Sequence, residues 1–254
     1  MILVLSGTSD GRKIIELLFQ KGYDVIASTA TKYGGILIES DCNVEVISEK
    51  MEQDDMEKLI RKRKIECIVD ATHPYAEKVS VNAMAACKST GIKYLRYERK
   101  GNSYEKTDGV SCFPDYDKAI SYLKGTKGNI LLTVGSNNLQ LFTSSLEIDR
   151  LYARVLPTYS VIKKCEDLRL LPKQIIAAQG PFTEEFNKAM YNNYNIKYMV
   201  TKDSGDEGGT EEKIKGAIET GVNVVLIKRP KINYINLYDN IYDIIKVIDK
   251  DLKK

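Results

Sequence analysis

Four stretches of this chain carry residues able to do chemistry, and each follows a short apolar run. The first is Ser6-Gly7-Thr8-Ser9-Asp10-Gly11-Arg12, after Ile2 to Leu5 and before a helical pattern. A glycine-bearing turn between a buried strand and a helix presents backbone N–H groups at the positive end of the helix dipole, which favours a bound phosphate. Of the dinucleotide fingerprint G-x-G-x-x-G only Gly7 and Gly11 are present. Gly7 can serve the tight turn, and Gly11 allows close backbone approach at the helix start. The second stretch, Ser28-Thr29-Ala30-Thr31-Lys32, ends the next strand. An NAD-preferring fold places a carboxylate near this point for the ribose 2′-hydroxyl. Here none is present to repel a 2′-phosphate, and the hydroxyls and Lys32 can bind one, so the nucleotide expected is NADP. A polar loop that touches no ligand is the competing reading.

The third stretch is Asp70-Ala71-Thr72-His73-Pro74-Tyr75-Ala76. His73 is the one histidine of the chain, and at a strand's carboxyl end it can give a proton. Equally, Thr72 or His73 can cap the next helix, with Pro74 in its first turn. One histidine without a neighbouring Cys or Glu/His pattern makes a poor metal site, so no protein-bound metal is expected. The fourth stretch, Thr201 to Thr210, is longer and more charged than a plain connection needs. Lys202 offers an ammonium to an anionic ligand, and Gly205, Gly208 and Gly209 let the backbone wrap it. A mobile surface loop is the alternative.

The elements that must hold these turns alternate between strand and helix. Strands are predicted over 2–5, 23–28, 44–47, 65–69 and 92–96, with helices over 13–21, over 54–63 and from the Pro74 turn to about Ser89. In the second half, strands are predicted over 129–134, 151–155, 174–178, 197–200 and 222–227. Helices follow from Leu139, over 184–191 and 211–219, and in an amphipathic tail over 238–252. This rhythm implies parallel sheets covered by helices. Periodicity weakens between Lys100 and Gly128, where 116–123 reads as a short helix, and the boundary is placed near Gly125 to Gly128. Residues 1–126 are expected to form an N-terminal NADP-binding Rossmann-like domain, and 127–254 a second α/β domain. The fold class is therefore α/β, two Rossmann-like parallel-sheet domains, with the active site in the cleft between them.

Composition narrows the partners. The net charge is only +3, so no global basic field argues for nucleic acid. The basic run Arg61 to Lys64 closes a predicted helix, where cations complement the dipole. The five cysteines are odd in number, scattered and without a C-x-x-C, which fits a reducing cytosol rather than a disulfide framework or a zinc site. No stretch approaches the roughly 18 uninterrupted apolar residues of a membrane span. The expected location is cytoplasmic.

The segments SGTSDGR, ASTATKYGG, DATHPYA, YLRYER, LLTVGSNNL, ARVLP, AAQGPF and VTKDSGDEGG occur in this order over nearly the whole chain. With them the sequence closely resembles the precorrin-6A reductases of cobalamin biosynthesis, including the cobalt-precorrin-6A reductases. DATHPYA and TKDSGDEGG at this spacing are the specific part. The resemblance implies an NADPH-dependent reduction of one C=C bond of a large tetrapyrrole, with hydride to ring carbon C19 and a proton to C18. It implies that Gly7, Thr8, Ser9, Gly11 and Arg12 bind the pyrophosphate of the cofactor, and Ser28 and Thr29 its 2′-phosphate end. Thr72, His73 and Tyr75 would lie beside the nicotinamide or the macrocycle. Gly135, Ser136, Gln179, Gly180, Lys202, Asp203 and Ser204 would line the opposite wall, with Lys202 and His73 the candidate proton sources and water a third. Family members commonly open with Gly-Gly-Thr where this chain has Ser6-Gly7-Thr8, a change tolerable if Ser6 keeps a negative φ. Two other readings stay open on the residues alone: a reductase of another small molecule, and a non-catalytic NADP sensor. Cobalt content of the substrate and oligomeric state are not legible.

Overall fold

A computed structural model describes residues 1–101, 104–205 and 208–252. The chain begins with β1 (Ile2–Ser6), α1 (Ser9–Gln20), β2 (Val25–Ser28), α2 (Lys32–Asp41), β3 (Glu45–Ile47), α3 (Gln53–Arg63), β4 (Cys67–Ala71), α4 (Glu77–Thr90) and β5 (Lys93–Tyr97). It continues through β6 (Val110–Phe113), α5 (Tyr116–Lys124), β7 (Asn129–Leu132), α6 (Leu139–Thr143), β8 (Leu151–Val155), α7 (Tyr159–Asp167), β9 (Ile175–Ala177), α8 (Glu184–Asn193), β10 (Ile196–Lys202), α9 (Thr210–Glu219) and β11 (Asn223–Ile227). It ends with β12 (Leu237–Tyr238) and α10 (Ile241–Leu252). Among the described residues no helix is long and apolar enough to cross a membrane.

These elements form two units, residues 1–100 with 231–254, and residues 101–230. Each holds one six-stranded sheet whose pairings are all parallel, ordered β12-β5-β4-β1-β2-β3 and β6-β11-β10-β7-β8-β9. Counting from β1 in the first sheet and from β7 in the second, both read 3-2-1-4-5 with one further edge strand, the doubly wound Rossmann order. The two Rossmann-like units expected from the alternation are present.

The boundary expected at 126/127 is corrected. β6 pairs with β11 in the second sheet, so the chain crosses between Lys100 and Gly101. The tail belongs to the first unit: β12 pairs with β5, Arg96 N–H donates to the Asn236 carbonyl at 3.0 Å, and Glu98 N–H to Tyr238 at 2.9 Å. Short edge strands of four and two residues leave little periodic signal, which is why the boundary was not legible.

Strand alternation builds the first unit's core. Ile2 and Val4 face α1 and α10, packing on Ile14, Ile15, Leu18, Ile244 and Ile248. Leu3 and Leu5 face the other way, onto Met56 and Ile60 of α3 and Ala83 and Ala86 of α4. A strand buried on both faces is apolar throughout, and each such side chain contributes roughly 1.5–3 kcal/mol. In the second unit Leu131, Met199, Val224 and Leu226 pack on Met190 and Tyr191 of α8 and Ile214 and Ala217 of α9.

Two helices were not expected. α2 starts at Lys32 behind an N-cap, Thr31, whose hydroxyl accepts from Gly34 N–H at 3.1 Å. Its two glycines suppress the helical signal. They are there for packing: a Cβ on Gly34 would stand 2.4 Å from Thr29 Oγ1, and one on Gly35 2.1 Å from Ser48 Oγ. The other is α7, which follows β8 and Pro157.

Candidate functional site

Open α/β sheets bind ligands outside the carboxyl ends of the strands where the chain winds in opposite directions. In the first sheet that point lies between β1 and β4, whose register ends at Ser6 opposite Ala71. The two turns singled out for chemistry therefore leave the sheet side by side. A Cβ built on Gly7 would have the backbone N of His73 as its nearest neighbour, at 3.9 Å.

The roles of the first turn separate residue by residue. Gly7 is exposed and is not among the glycines with positive φ, so the turn does not require glycine there; its bareness leaves room in front of the α1 N-terminus. Ser6 likewise has no positive φ, so the departure from Gly-Gly-Thr introduces no strain. Thr8 is the N-cap of α1: its hydroxyl accepts from Gly11 N–H at 3.1 Å and donates to the Ala71 carbonyl at 3.1 Å. That hydroxyl ties β4 to the helix start, leaving Thr8 its backbone for a ligand. Ser9 is the first residue of α1. Asp10, in the same turn, pairs with Arg99. Arg12 reaches Asp41 at 3.7 Å.

Gly11 is a packing residue. A Cβ there would lie 2.5 Å from Ser6 Oγ and 3.2 Å from Ser6 Cα, against the buried end of β1. Gly11→Ala is expected to destabilise the protein by about 1–3 kcal/mol, outweighing alanine's better helix propensity. Urea unfolding checks this, and an unchanged midpoint refutes the close approach.

At the end of β2, Ser28 and Thr29 are both 6% exposed, and Thr29 N–H donates to the Ile47 carbonyl at 2.9 Å. They sit under the first turn of α2, while Thr31 and Lys32 are exposed beside them. No acidic residue stands between Ser28 and Lys32.

The third turn is built on a buried charge network. Asp70 and Arg96 are both 0% exposed. Asp70 Oδ1 accepts from Arg96 Nη1 at 2.8 Å, Thr72 Oγ1 at 2.7 Å and Thr72 N–H at 3.0 Å; Oδ2 accepts from Tyr94 Oη at 2.6 Å. Arg96 also donates to Thr72 Oγ1 at 3.1 Å and Glu98 Oε2 at 2.9 Å, and its guanidinium lies 4.6 Å over the Tyr234 ring. Burial and the Asp70 charge push the Tyr94 phenol well above its usual range, so it stays a donor. This network was missed at the level of sequence. The signal was present, because a buried strand does not carry an arginine such as that in Tyr94-Leu95-Arg96-Tyr97 without a partner.

The same network overturns the expected cap. The hydroxyl of Thr72 is engaged with Asp70 and Arg96, and α4 starts at Glu77 after Ala76, with no side-chain cap. Pro74 lies in the preceding turn, closed by Ala76 N–H to the His73 carbonyl at 2.7 Å. His73 Nδ1 accepts from Tyr75 N–H at 3.3 Å, and the two rings are 5.4 Å apart. An acceptor at Nδ1 places the proton of the neutral imidazole on Nε2.

The second sheet has its own switch point between β7 and β10; Lys202 is the last residue of β10, and Gly135, Ser136, Asp203 and Ser204 follow those strands. Gly135 has φ +82° and opens a 3₁₀ turn at Ser136. Lys202 ends β10, and burial lowers its ammonium pKa below the usual range. Asp203 is buried and paired with Arg229 Nε at 3.1 Å. Ser204 is held inside its loop, with N–H to Thr210 Oγ1 at 3.2 Å and the two hydroxyls 3.0 Å apart. Gln179 and Gly180 are exposed. Their loop meets the lysine loop, since a Cβ on Gly209 would lie 3.5 Å from Pro181 Cβ. Asp206 and Glu207 of that loop lie outside the described residues.

Two Rossmann-like units, the first with a helix N-terminus and a bare glycine at its switch point, define a nucleotide-binding class of α/β protein. Within that class the chain belongs to the precorrin-6x reductase CbiJ/CobK family, whose family model matches residues 1–249. It is 39% identical over 251 residues to a cobalt-precorrin-6A reductase of Priestia megaterium, covering 98% of each chain. A cobalt-precorrin-6A reductase of Methanocaldococcus jannaschii is 36% identical over 250 residues, with 97% of each chain covered. A solved structure of CobK precorrin-6A reductase has the same fold, with TM-score 0.80 at 21% identity over 98% of this chain and 96% of that one.

Proposed function

We propose that this chain reduces one C=C bond of precorrin-6A, or of its cobalt complex, with NADPH as the hydride source. As a member of the precorrin-6x reductase family, it is an oxidoreductase acting on a CH–CH group of a corrin precursor in cobalamin biosynthesis. The observation that carries the reading is the pairing of the Gly7 turn with the His73 turn at one switch point, 3.9 Å from a Gly7 Cβ to His73 N. The residues fit a nicotinamide dinucleotide: beside the α1 N-terminus a Cβ on Gly7 would meet only the His73 backbone N, at 3.9 Å, and no carboxylate stands between Ser28 and Lys32.

The cofactor, when bound, supplies the hydride; the chain supplies orientation and charge. Gly7 and the N–H groups of Thr8 and Ser9 receive the pyrophosphate. Arg12 adds its charge, because an exposed pair such as Arg12–Asp41 is worth only about 0–1 kcal/mol and is readily exchanged. Ser28 and Thr29, with Thr31 and Lys32, take the 2′-phosphate end. Asp70 and Arg96 hold Thr72 rigid beneath His73, whose Nε2 proton faces the choice of donating or staying. Tyr75, Gly135, Ser136, Gln179, Gly180, Asp203 and Ser204 are the proposed macrocycle contacts, and Lys202 anchors a substrate carboxylate. Because burial favours its neutral form, Lys202 is also the stronger acid of an ordinary lysine's kind. Five free thiols support a reducing, cytoplasmic setting.

Anaerobic oxidation of NADPH and of NADH, each with precorrin-6A and cobalt-precorrin-6A, tests the proposal. The expected kcat/KM with NADPH exceeds that with NADH by about tenfold or more, the worth of one charge-assisted hydrogen bond. Equal values refute the NADP reading, and no oxidation with either macrocycle refutes the reductase reading.

A further inference from the structure

The first turn carries a negative charge where an anion is expected. Asp10 is the second residue of α1, inside the turn proposed above for the pyrophosphate. The helix dipole favours a carboxylate there as it favours a phosphate, so the two compete for one place. Asp10 is held by a counter-charge: its carboxylate pairs with Arg99 Nη2, and both side chains are half-buried.

Arg99 reaches this carboxylate from two strands away. It follows the last residue of β5 by two positions, and in the sheet order β5-β4-β1 that strand does not touch β1. Neighbouring strands lie about 4.8 Å apart, so the arginine crosses roughly 10 Å, past the end of β4, to the start of α1. The residue before it is pinned: Glu98 N–H donates to the Tyr238 carbonyl at 2.9 Å, and Glu98 Oε2 accepts from Arg96 Nη2 at 2.9 Å. The Asp10–Arg99 pair therefore spans the switch point at which the Gly7 and His73 turns leave the sheet. Ion pairs near the surface add little to stability, so folding alone does not account for this reach. Function does. With the 2′-phosphate end at β2, on one side of β1, the nicotinamide half extends to the other side, over β4 and towards β5. The phosphate on that side is the one an arginine from β5 meets.

We propose that Arg99 is a cofactor-binding residue: its guanidinium neutralises Asp10 and donates to the nicotinamide-side phosphate of the bound dinucleotide. Five N–H donors in a planar fork allow one guanidinium to hold a carboxylate and a phosphate together. The choice of dinucleotide rests on the reductase reading above; the bridge across the switch point rests on the Asp10–Arg99 pair alone. A carboxylate of the macrocycle is the other anion that suits a guanidinium, and the experiment separates the two.

NADPH is titrated by calorimetry into the wild type, Arg99→Gln, Arg99→Lys, Asp10→Asn and Asp10→Asn/Arg99→Gln. Adenosine 2′,5′-bisphosphate, which keeps the 2′-phosphate and the adenosine-side phosphate and lacks the other, is titrated in parallel. Arg99→Gln is expected to bind NADPH about tenfold or more weakly, with Arg99→Lys intermediate and the bisphosphate bound as by the wild type. Asp10→Asn removes the competing charge and is expected to bind NADPH at least as tightly as the wild type. The double variant shows how Arg99 acts. An arginine that only neutralises Asp10 becomes dispensable once the carboxylate is gone, whereas one that holds the phosphate does not. The double variant is therefore expected to stay about tenfold weaker than Asp10→Asn. If Arg99→Gln does not fold, this comparison decides, because the double variant leaves no carboxylate stranded. Recovery of the Asp10→Asn affinity in the double variant overturns the proposal, as does equal loss of both nucleotides in Arg99→Gln. Uroporphyrin III, an octacarboxylate tetrapyrrole, is titrated by fluorescence; weakened porphyrin binding with NADPH binding intact gives Arg99 to the macrocycle and overturns the proposal too. If the wild type binds NADPH and Arg99→Gln binds it equally, the proposal falls and the reductase reading stands. If the wild type binds no NADPH, both fall.

Discussion

Asp70→Ala is expected to destabilise the protein by about 3–5 kcal/mol, because removing one partner of a buried pair strands the other. Four hydrogen bonds end on this carboxylate, from Thr72 N–H, Thr72 Oγ1, Arg96 and Tyr94. After the substitution Arg96 keeps Glu98 and the Tyr234 ring, but its nearest counter-charge is gone and the Tyr94 hydroxyl loses its acceptor. For a chain of this size such a loss lowers Tm by about 10–15 °C. Calorimetric melting measures it, and a shift of under about 3 °C would show that Glu98 alone suffices for Arg96. The double variant Asp70→Leu/Arg96→Met removes both charges and is expected to melt above Asp70→Ala, since buried pairs replaced by apolar groups are often nearly neutral in stability. Its kcat is nevertheless expected to stay low, because Thr72 no longer has the carboxylate that orients it under His73.

That separation between stability and positioning explains why a buried ion network stands at this strand end. Hydrophobic residues would fill the space between β4 and β5 at less desolvation cost. They would not fix the backbone of a turn that leaves the sheet without a helix cap. The returning segment joins in: Tyr234 lies on Arg96, and Asn236 donates to the Tyr94 carbonyl at 3.0 Å. The tail thus closes the first unit's sheet and covers the charge that holds its site.

The contrast also shows which features a sequence makes legible. The β1–α1 turn is local, with strand, cap and glycines inside twelve residues, so its strand–turn–helix geometry was readable from the chain itself. The Asp70–Arg96 pair spans 26 residues and needs the β4–β5 register to be seen. Similarly, Gly34 and Gly35 argued against a helix on propensity, whereas the fold uses them to bring α2 onto Thr29 and Ser48. Asp203 was grouped with the substrate contacts on the family resemblance, and the structure pairs it with Arg229. Arg154 is visible in the sequence as a charge within a predicted strand, but its partner Asn187 comes from α8.

The two glycines of the first turn lead to the second large effect, and it falls on binding rather than on folding. Gly11 is pressed against Ser6, but Gly7 is not: its φ is ordinary, and a side chain there would meet only the His73 backbone nitrogen at 3.9 Å. Gly7→Asp should therefore fold like the wild type, with Tm within about 2 °C, since exposed substitutions away from special features change stability by about 0.5 kcal/mol or less. If the α1 N-terminus holds the pyrophosphate, the new carboxylate occupies the same ground as an anion and repels it. Like-charge juxtaposition costs several kcal/mol, so NADPH affinity should fall by about 100-fold or more. Gly7→Ala, with less bulk and no charge, should lose much less. Fluorescence titration with NADPH measures both. Wild-type affinity in a folded Gly7→Asp protein would move the pyrophosphate away from this turn, and the switch point of the first sheet would lose its assigned ligand.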